Sequence, residues 1–509
     1  MTAPRLIYYS DAHHFHAKRL DPPLNIHKMR WPIDELVGTG VQTLAFGLGF
    51  ADVYFHQTKI GRIVGQEQEV WKSYINWRIM RMVKDAHAMG TDQVREVIKR
   101  GREMGIPVFP SLKMQDSTPQ YGERCGWLKW RHGKEVTLGE GDDRFPTHPT
   151  EWCLDYANAV VREDKKALLR EMLEDYQAEG IELDFMFYPL YFRKAETESG
   201  TAVMSKFMAD IRTMVNEIGE AQGRKIPIMA RVWHRRDDNL NIGLDVESWI
   251  ADGSIDMAVG QIPHMLLDTG VTDGKWLADA ANAAGISAYL RPGRGLTDPR
   301  ASTASIEMFR AFGQTLQWQG FAGMYLGYLP WPFAKAEYQL LREMAYPEAG
   351  ARLNKRYFLP PREDLRSFVE PDSRRLPIAL EEGMKESVPI IIGDDVESAI
   401  ADSETRDAIL TLTFQQFCVE DDVVVGFNGV SLPIARKNIY EPRRGQYWLR
   451  WNLDIETIVQ GENTLDIEIV KKEKTAGFAR TLSGVEVHMR YREFDRPEAL
   501  DPVTIPPPS

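Results

Sequence analysis

The sequence predicts an α/β protein, a (β/α)8 or TIM barrel followed by a small all-β sandwich. Three observations carry this. Eight short apolar runs alternate with helical-period segments over about the first 345 residues. The C-terminal ends of those runs hold most of the clustered Asp, Glu, His, Arg and Trp. After Gly350 the texture changes to short β-type runs separated by turn signals. Alternation implies a parallel barrel, polar strand ends imply its functional face, and the closing runs imply a sandwich.

Length and composition bound the rest. At 509 residues the chain needs more than one domain, and 43% apolar with 27% charged residues is a globular balance. A net charge of −12 opposes general nucleic-acid binding. Three cysteines, Cys125, Cys153 and Cys418, form neither a disulfide framework nor a CxxC metal spacing. A reducing, cytoplasmic location is expected, or export with the signal segment absent from this sequence. No apolar run reaches the roughly 18 residues of a membrane span.

In order, Leu6 to Tyr9 is the first strand and leads into Ser10-Asp11-Ala12-His13-His14-Phe15-His16. Val41 to Phe50 is the second. A helix from Asp92 to Met104 has Val94, Val97 and Ile98 at helical spacing, and Gly105 stops it. Ile106 to Leu112 is the third strand, ending near Lys113 and Asp116. An insertion at about 117–152 carries Trp127, Trp130, His132, Phe145 and His148, and reads as a packed lid. An amphipathic helix, Asn158 to Ala178, delivers the chain to strand four, Ile181 to Phe187. Strand five, Ile226 to Trp233, ends in His234-Arg235-Arg236-Asp237-Asp238. Strand six, Ile255 to Val259, ends at Gln261 and His264. Strand seven, Ile286 to Leu290, ends at Arg291 and Arg294. Strand eight, Phe321 to Leu326, ends at Tyr328 and Trp331. The expected domains are a barrel over 1–345, a linker over 346–387, a sandwich over 388–495 and a Pro-rich tail over 496–509, with Asn428-Gly429 as a hairpin turn.

Strand four carries the chemistry. On a strand, residues two apart share a face, so Glu182 and Asp184 point one way and Ile181, Leu183 and Phe185 the other. Two inward carboxylates imply a polar interior. Their Cα atoms lie ~7 Å apart along one strand, a poor arrangement for flanking a scissile bond. Asp184, nearer the mouth, is therefore the expected catalytic acid, and Glu182 the expected buried partner of Arg231. The second carboxylate must come from another strand end: Asp11, Asp116, Asp237 or Asp238. Aromatic rings stack on sugar faces while polar neighbours bond hydroxyls. That makes Trp127, Trp233, Tyr328 and Trp331, with Lys113, His13, His14 and His234, candidate substrate-binding residues. Arg231, Arg291 and Arg294 suit an anionic substrate, because guanidinium binds carboxylate or sulfate in bidentate fashion.

Leu154-Asp155-Tyr156-Ala157-Asn158-Ala159-Val160-Val161-Arg162, followed by Gly180-Ile181-Glu182-Leu183-Asp184-Phe185, resembles the largely uncharacterised glycoside-hydrolase-like barrel families. Their pattern is a Leu-Asp-x-x-Asn-Pro-x-Val-Arg lead-in and a strand four of the form Asp-Gly-Ile-x-Leu-Asp-Tyr/Phe. Ala159, Glu179 and Phe187 depart from it. The resemblance covers about 40 residues. It implies a carbohydrate-active barrel whose strand-four acid is Asp184, an oligosaccharide or polysaccharide substrate, and no cofactor.

Two other classes compete. His14 and His16 at strand one, His234 at strand five and His264 at strand six resemble a metal-dependent amidohydrolase barrel. Strand eight, Met324-Tyr325-Leu326-Gly327-Tyr328, lacks the Asp that class uses as a base. A non-catalytic carbohydrate-binding barrel is the third reading, with the sandwich as a binding or oligomerisation module.

Overall fold

The computed structural model of the protein describes residues 3–50, 52–115, 123–142, 144, 150–186, 189–262, 267–298, 301–359, 376–433, 439–443 and 446–492. All eight expected strands form: β1 (Leu6–Ser10), β2 (Thr43–Gly47), β3 (Val108–Lys113), β4 (Ile181–Asp184), β5 (Ile228–Trp233), β6 (Met257–Gln261), β7 (Ser287–Arg291) and β8 (Gly323–Gly327). Each pairs in parallel with its sequence neighbours, and β8 closes on β1, so the sheet has no edge.

Alternation divides each strand between two cores. Ile7, Tyr9, Ala45, Phe109, Met229, Val259, Tyr289 and Tyr325 pack inside the barrel. Leu6, Tyr8, Leu44, Val108, Ile181, Leu183 and Val232 face the surrounding helices. The register sets Lys113 beside Asp184 and Asp184 beside Arg231, so the inward residues of β3, β4 and β5 form one layer near the mouth. The helix Gln93–Met104 is capped by Asp92, which accepts from the Arg95 N–H at 2.9 Å. It stops at Gly105, whose φ of 71° lies in the left-handed region that residues with a Cβ avoid.

Strand four ends earlier than the apolar pattern suggested, at Asp184 and not Phe187. The Asp184 carboxylate accepts the Met186 N–H at 2.9 Å. A side chain that takes a backbone donor two residues on turns the chain away from the ladder. In the insertion, the helix Trp127–His132 and single turns at Lys134–Val136 and Thr150–Trp152 are formed.

The C-terminal part contains two antiparallel sheets. One orders β9 (Lys355–Leu359), β18 (Arg480–Tyr491), β12 (Thr405–Gln415), β16 (Gln446–Leu453) and β15 (Ile439–Arg443), with β10 (Ile378–Leu380) also on β18. The other orders β11 (Lys385–Ile392), β17 (Gly461–Lys471), β13 (Asp422–Phe427) and β14 (Val430–Leu432). Asn428 (φ 49°) and Gly429 (φ 79°) form the hairpin turn between β13 and β14. The stretch read as a linker supplies β9 and β10. Lys355, Tyr357 and Leu359 alternate inward, and β9 pairs along Val485 to Met489, so charge-rich sequence hid a period of two.

The sheets dock on the flank of the barrel, against the helix Ile306–Trp318 that precedes β8. Ala311 of that helix joins the sandwich core. Glu307 pairs with Arg356 at 3.3 Å, and Thr269 Oγ1 both donates to the Phe358 carbonyl and accepts its N–H. Backbone approaches closely at Gly393: a Cβ there would lie 2.4 Å from the Thr315 backbone nitrogen. Because backbone cannot retract like a side-chain tip, Gly393→Ala is expected to destabilise the protein by about 1–3 kcal/mol. Denaturant unfolding monitored by circular dichroism would measure this, and an unchanged midpoint would refute the contact.

Candidate active site at the barrel mouth

The strand ends bring three carboxylates and three cations together. Glu182 and Asp184 of β4 are fully buried, and Arg231 of β5 lies against them. One guanidinium nitrogen of Arg231 donates to Asp184, while its Nε is 3.8 Å from Glu182. The pairing with Glu182 expected on sequence is present but is the longer of the two, and Asp184 is the closer partner. The register explains it: Arg231 is level with Asp184, whereas Glu182 lies level with Met229. Glu182 instead accepts from the Tyr325 hydroxyl at 2.7 Å. Burial, the largest influence, pushes its carboxyl above the usual range. Arg231 opposes the shift and Asp184 adds to it.

Arg231 also lies between aromatic faces, 4.4 Å from the Tyr9 ring centroid and 5.6 Å from that of Tyr325. Ring quadrupoles supply part of the stabilisation that water would have given. Arg291, at the end of β7, is buried with its guanidinium 5.2 Å from the Tyr328 ring. Burial, then Arg231, lowers its pKa. Tyr9 and Tyr325 were not singled out from sequence. The signal was there, since Tyr9 shares a strand face with Ile7 and Asp11, but tyrosine also suits an ordinary core.

Asp11 organises the other side. It caps the helix Ala12–Arg19, accepting from the His13 N–H at 2.9 Å. Its second oxygen takes Lys113 Nζ at 3.3 Å and the Tyr328 hydroxyl at 3.0 Å, with His14 Nδ1 at 3.9 Å. Burial alone would raise its pKa, yet Lys113, His14, His13 and Arg124 hold the carboxyl well below the usual range. Asp11, His14, Lys18, Arg294, Tyr328 and Trp331 line a pocket of about 250 Å³ at the barrel mouth.

The remaining candidates separate. Trp233 lines a larger cleft of about 700 Å³, beside Asp238. Asp237 is exposed on the short helix Arg236–Leu240, whereas Asp238 is buried. His234 is buried, and its carbonyl accepts from the Trp276 indole at 2.7 Å. Trp127 stacks on Trp130 at 5.0 Å and packs against the barrel core. Asp116, Phe145, His148, Phe187 and His264 lie outside the described residues. The His-x-His falls in a helix and not at the tip of a strand, because Asp11 caps that helix directly after β1. His14 faces Asp11, while buried His16 turns Nδ1 to the Ala12 carbonyl at 2.8 Å, so the pair diverges. Burial lowers the pKa of His13 to about 3 and of His16 to about 4, so neither ring is charged at neutral pH. Among the described residues, no three His, Cys, Asp or Glu side chains converge as a metal site, and no helix is long and apolar enough to cross a membrane.

No protein-family model matches the chain, and no curated protein matches it. Solved structures to which it is similar include a cycloisomaltooligosaccharide glucanotransferase from a Paenibacillus species, at 10% identity and a TM-score of 0.37, covering 95% of this chain and 57% of that one. A maltogenic alpha-amylase from Thermotoga neapolitana matches at 10% identity and a TM-score of 0.40, over 90% of this chain and 98% of that one. An endo-1,4-beta-mannanase from Rhizomucor miehei matches at 11% and 0.43, over 69% and 96%.

The unequal pairing of the two acids predicts unequal effects of two substitutions. Asp184→Asn removes the carboxylate bonded to buried Arg231 and is expected to destabilise the protein by about 3–5 kcal/mol. Glu182→Gln should cost less, because an amide oxygen can still accept from Tyr325 and burial already favours a neutral group there. Urea unfolding of both variants at pH 7 tests this. Glu182→Gln as the weaker protein would overturn the assignment.

Proposed function

We propose that the chain is a glycoside hydrolase acting at the open end of the barrel on an acidic glycan, one bearing uronic or sulfated sugars. Asp11 carries the reading. It is a carboxylate held ionised by Lys113, at a strand end, in the wall of an open pocket that also contains aromatic and basic side chains. Glycosidic hydrolysis uses one carboxyl group as nucleophile or base and another as proton donor. Asp11 takes the ionised role, with Tyr328 fixing its orientation. The resemblance around strand four names Asp184 as a second acid; bonded to buried Arg231, it holds that guanidinium in place, a positioning role. Trp331 offers a face for a sugar ring, and Arg294 and Lys18 offer charge for an anionic substituent.

Asp11→Asn tests the role cleanly, because Asn caps a helix about as well as Asp. On a panel of aryl glycosides, the parent should turn over at least one member, and the variant should lose roughly 10²–10⁴-fold in kcat. A loss below tenfold would exclude Asp11 from the reaction. Sugar binding by the parent without turnover of any member would favour a non-catalytic binder. The stability of the pair should depend on pH in a defined sense. The folded pKa of Asp11 lies below its unfolded value, so its contribution is present above about pH 4 and is lost as pH falls further. The melting-temperature gap between parent and Asp11→Asn should therefore be widest near neutral pH and close in acid.

Substrate charge is tested separately. A uronic or sulfated substrate should be preferred over its neutral counterpart, and Arg294→Gln should weaken that preference at least tenfold. Equal kcat/KM for both forms in the parent would rule out the acidic glycan.

A further inference from the structure

Strands β4 and β5 lie across the closed sheet from β8 and β1, so the cleft holding Trp233 opens on the opposite side of the mouth from the Asp11 pocket. Its walls are the loop and helix after β4 and the short helix after β5. Leu190, Ile242 and Trp233 give it apolar surface, and Asp238 stands among them. Arg144, from the insertion, ties the two walls together. It donates to Thr197 Oγ1 and the Asn241 carbonyl, both at 3.0 Å, and to the Phe192 carbonyl at 2.6 Å. Asp142 neutralises it at 2.6 Å.

Asp238 is only 4% exposed, and its Oδ1 has no hydrogen-bond partner among the described residues. The other oxygen, Oδ2, is 4.0 Å from Arg235 Nε. A buried acceptor with nothing to accept is destabilising. Among the described residues, Glu35 and Glu182 also keep one unbonded carboxyl oxygen, but Asp238 is the one of the three that lines this cleft. Burial raises this one to about 6. Arg235 works against the shift, while Asp237 and Asp273 add to it. The cleft therefore presents an aromatic wall, a vacant acceptor and a cation already neutralised within the chain. Rim residues Lys194 and Glu198 carry opposite charges.

We propose that this cleft is a subsite for a neutral pyranose unit of the glycan, its apolar face against Trp233 and a hydroxyl donating to Asp238 Oδ1. The proposal rests on the carbohydrate reading of the barrel and extends it: the glycan crosses the mouth, with its charged part at the Asp11 pocket and a neutral unit in the cleft. A volume of about 700 Å³ is ample for one sugar ring.

The test uses the full chain and four neutral disaccharides: maltose, cellobiose, mannobiose and diacetylchitobiose. Binding is followed by saturation-transfer NMR and calorimetry. Two variants probe the cleft. Asp238→Ala removes the acceptor, and circular dichroism confirms its fold. Ala195→Trp fills the mouth of the cleft from an exposed position, and circular dichroism confirms its fold. At least one disaccharide should bind the parent, and each variant should weaken it tenfold or more, while the exposed control Glu462→Gln, on the C-terminal sheets, leaves it within threefold. Unchanged binding in both cleft variants overturns the subsite and leaves the hydrolase reading intact. Turnover of an aryl monoglycoside with no disaccharide bound does the same. Neither binding nor turnover on any substrate removes both.

Discussion

A guanidinium inside a β-barrel must be neutralised and solvated by the protein itself, and Arg231 sets that requirement here. The transfer of an ion from water to a protein interior is unfavourable by several kcal/mol even after relaxation. Three sources replace the lost water: the Asp184 carboxylate, the nearby Glu182 and the faces of Tyr9 and Tyr325. Each comes from a different strand or a different level of β4, so the register of the whole ring is tied to one charge. A slip of a single residue would turn Arg231 outward and leave two carboxylates unmatched.

The same logic separates the roles of the acids. Asp184 and Glu182 are sealed, and their geometry is fixed by groups that are themselves buried. Asp11 is also nearly buried, yet it borders open space and is pinned by a helix N–H, a lysine and a phenol. Asp238 is buried as well and has an unbonded oxygen, but it lines an open cleft. The acids of the mouth thus differ in what they border: Asp184 and Glu182 meet only protein, whereas Asp11 and Asp238 each line a cavity.

Much of this was legible in the sequence. The eight strands, their order and the inward face of Glu182 and Asp184 followed from apolar runs and a period of two, both local properties. The clustering of Asp11, Lys113, Tyr328 and Arg291 followed only in outline, because strand ends gather but contacts depend on register. That Arg231 is held more closely by Asp184 than by Glu182 was missed for that reason: depth along a strand is not written in the spacing of one strand alone. Asp238 could not be told from Asp237, since adjacent residues on a one-turn helix differ only in which side meets the barrel. Strand β9 was hidden by Lys355 and Arg356, charges whose neutralising partners lie far along the chain, Asp394 for the first and Glu307 for the second.

The docking of the sandwich on the helix Ile306–Trp318 has a practical bearing on how the chain can be divided. That helix lies within the barrel segment, yet its Ala311 belongs to the core of the other part. Glu307 and Thr269 likewise meet partners beyond residue 350. A barrel expressed alone, ending near Gly350, would leave this flank bare, with a strip of apolar surface facing water and a carboxylate deprived of its arginine. Such strips drive self-association, which light scattering of the truncated chain would register. Fusion tags, surface immobilisation or domain exchange are better attached at the outer strands of the sandwich, where the barrel's flank stays covered.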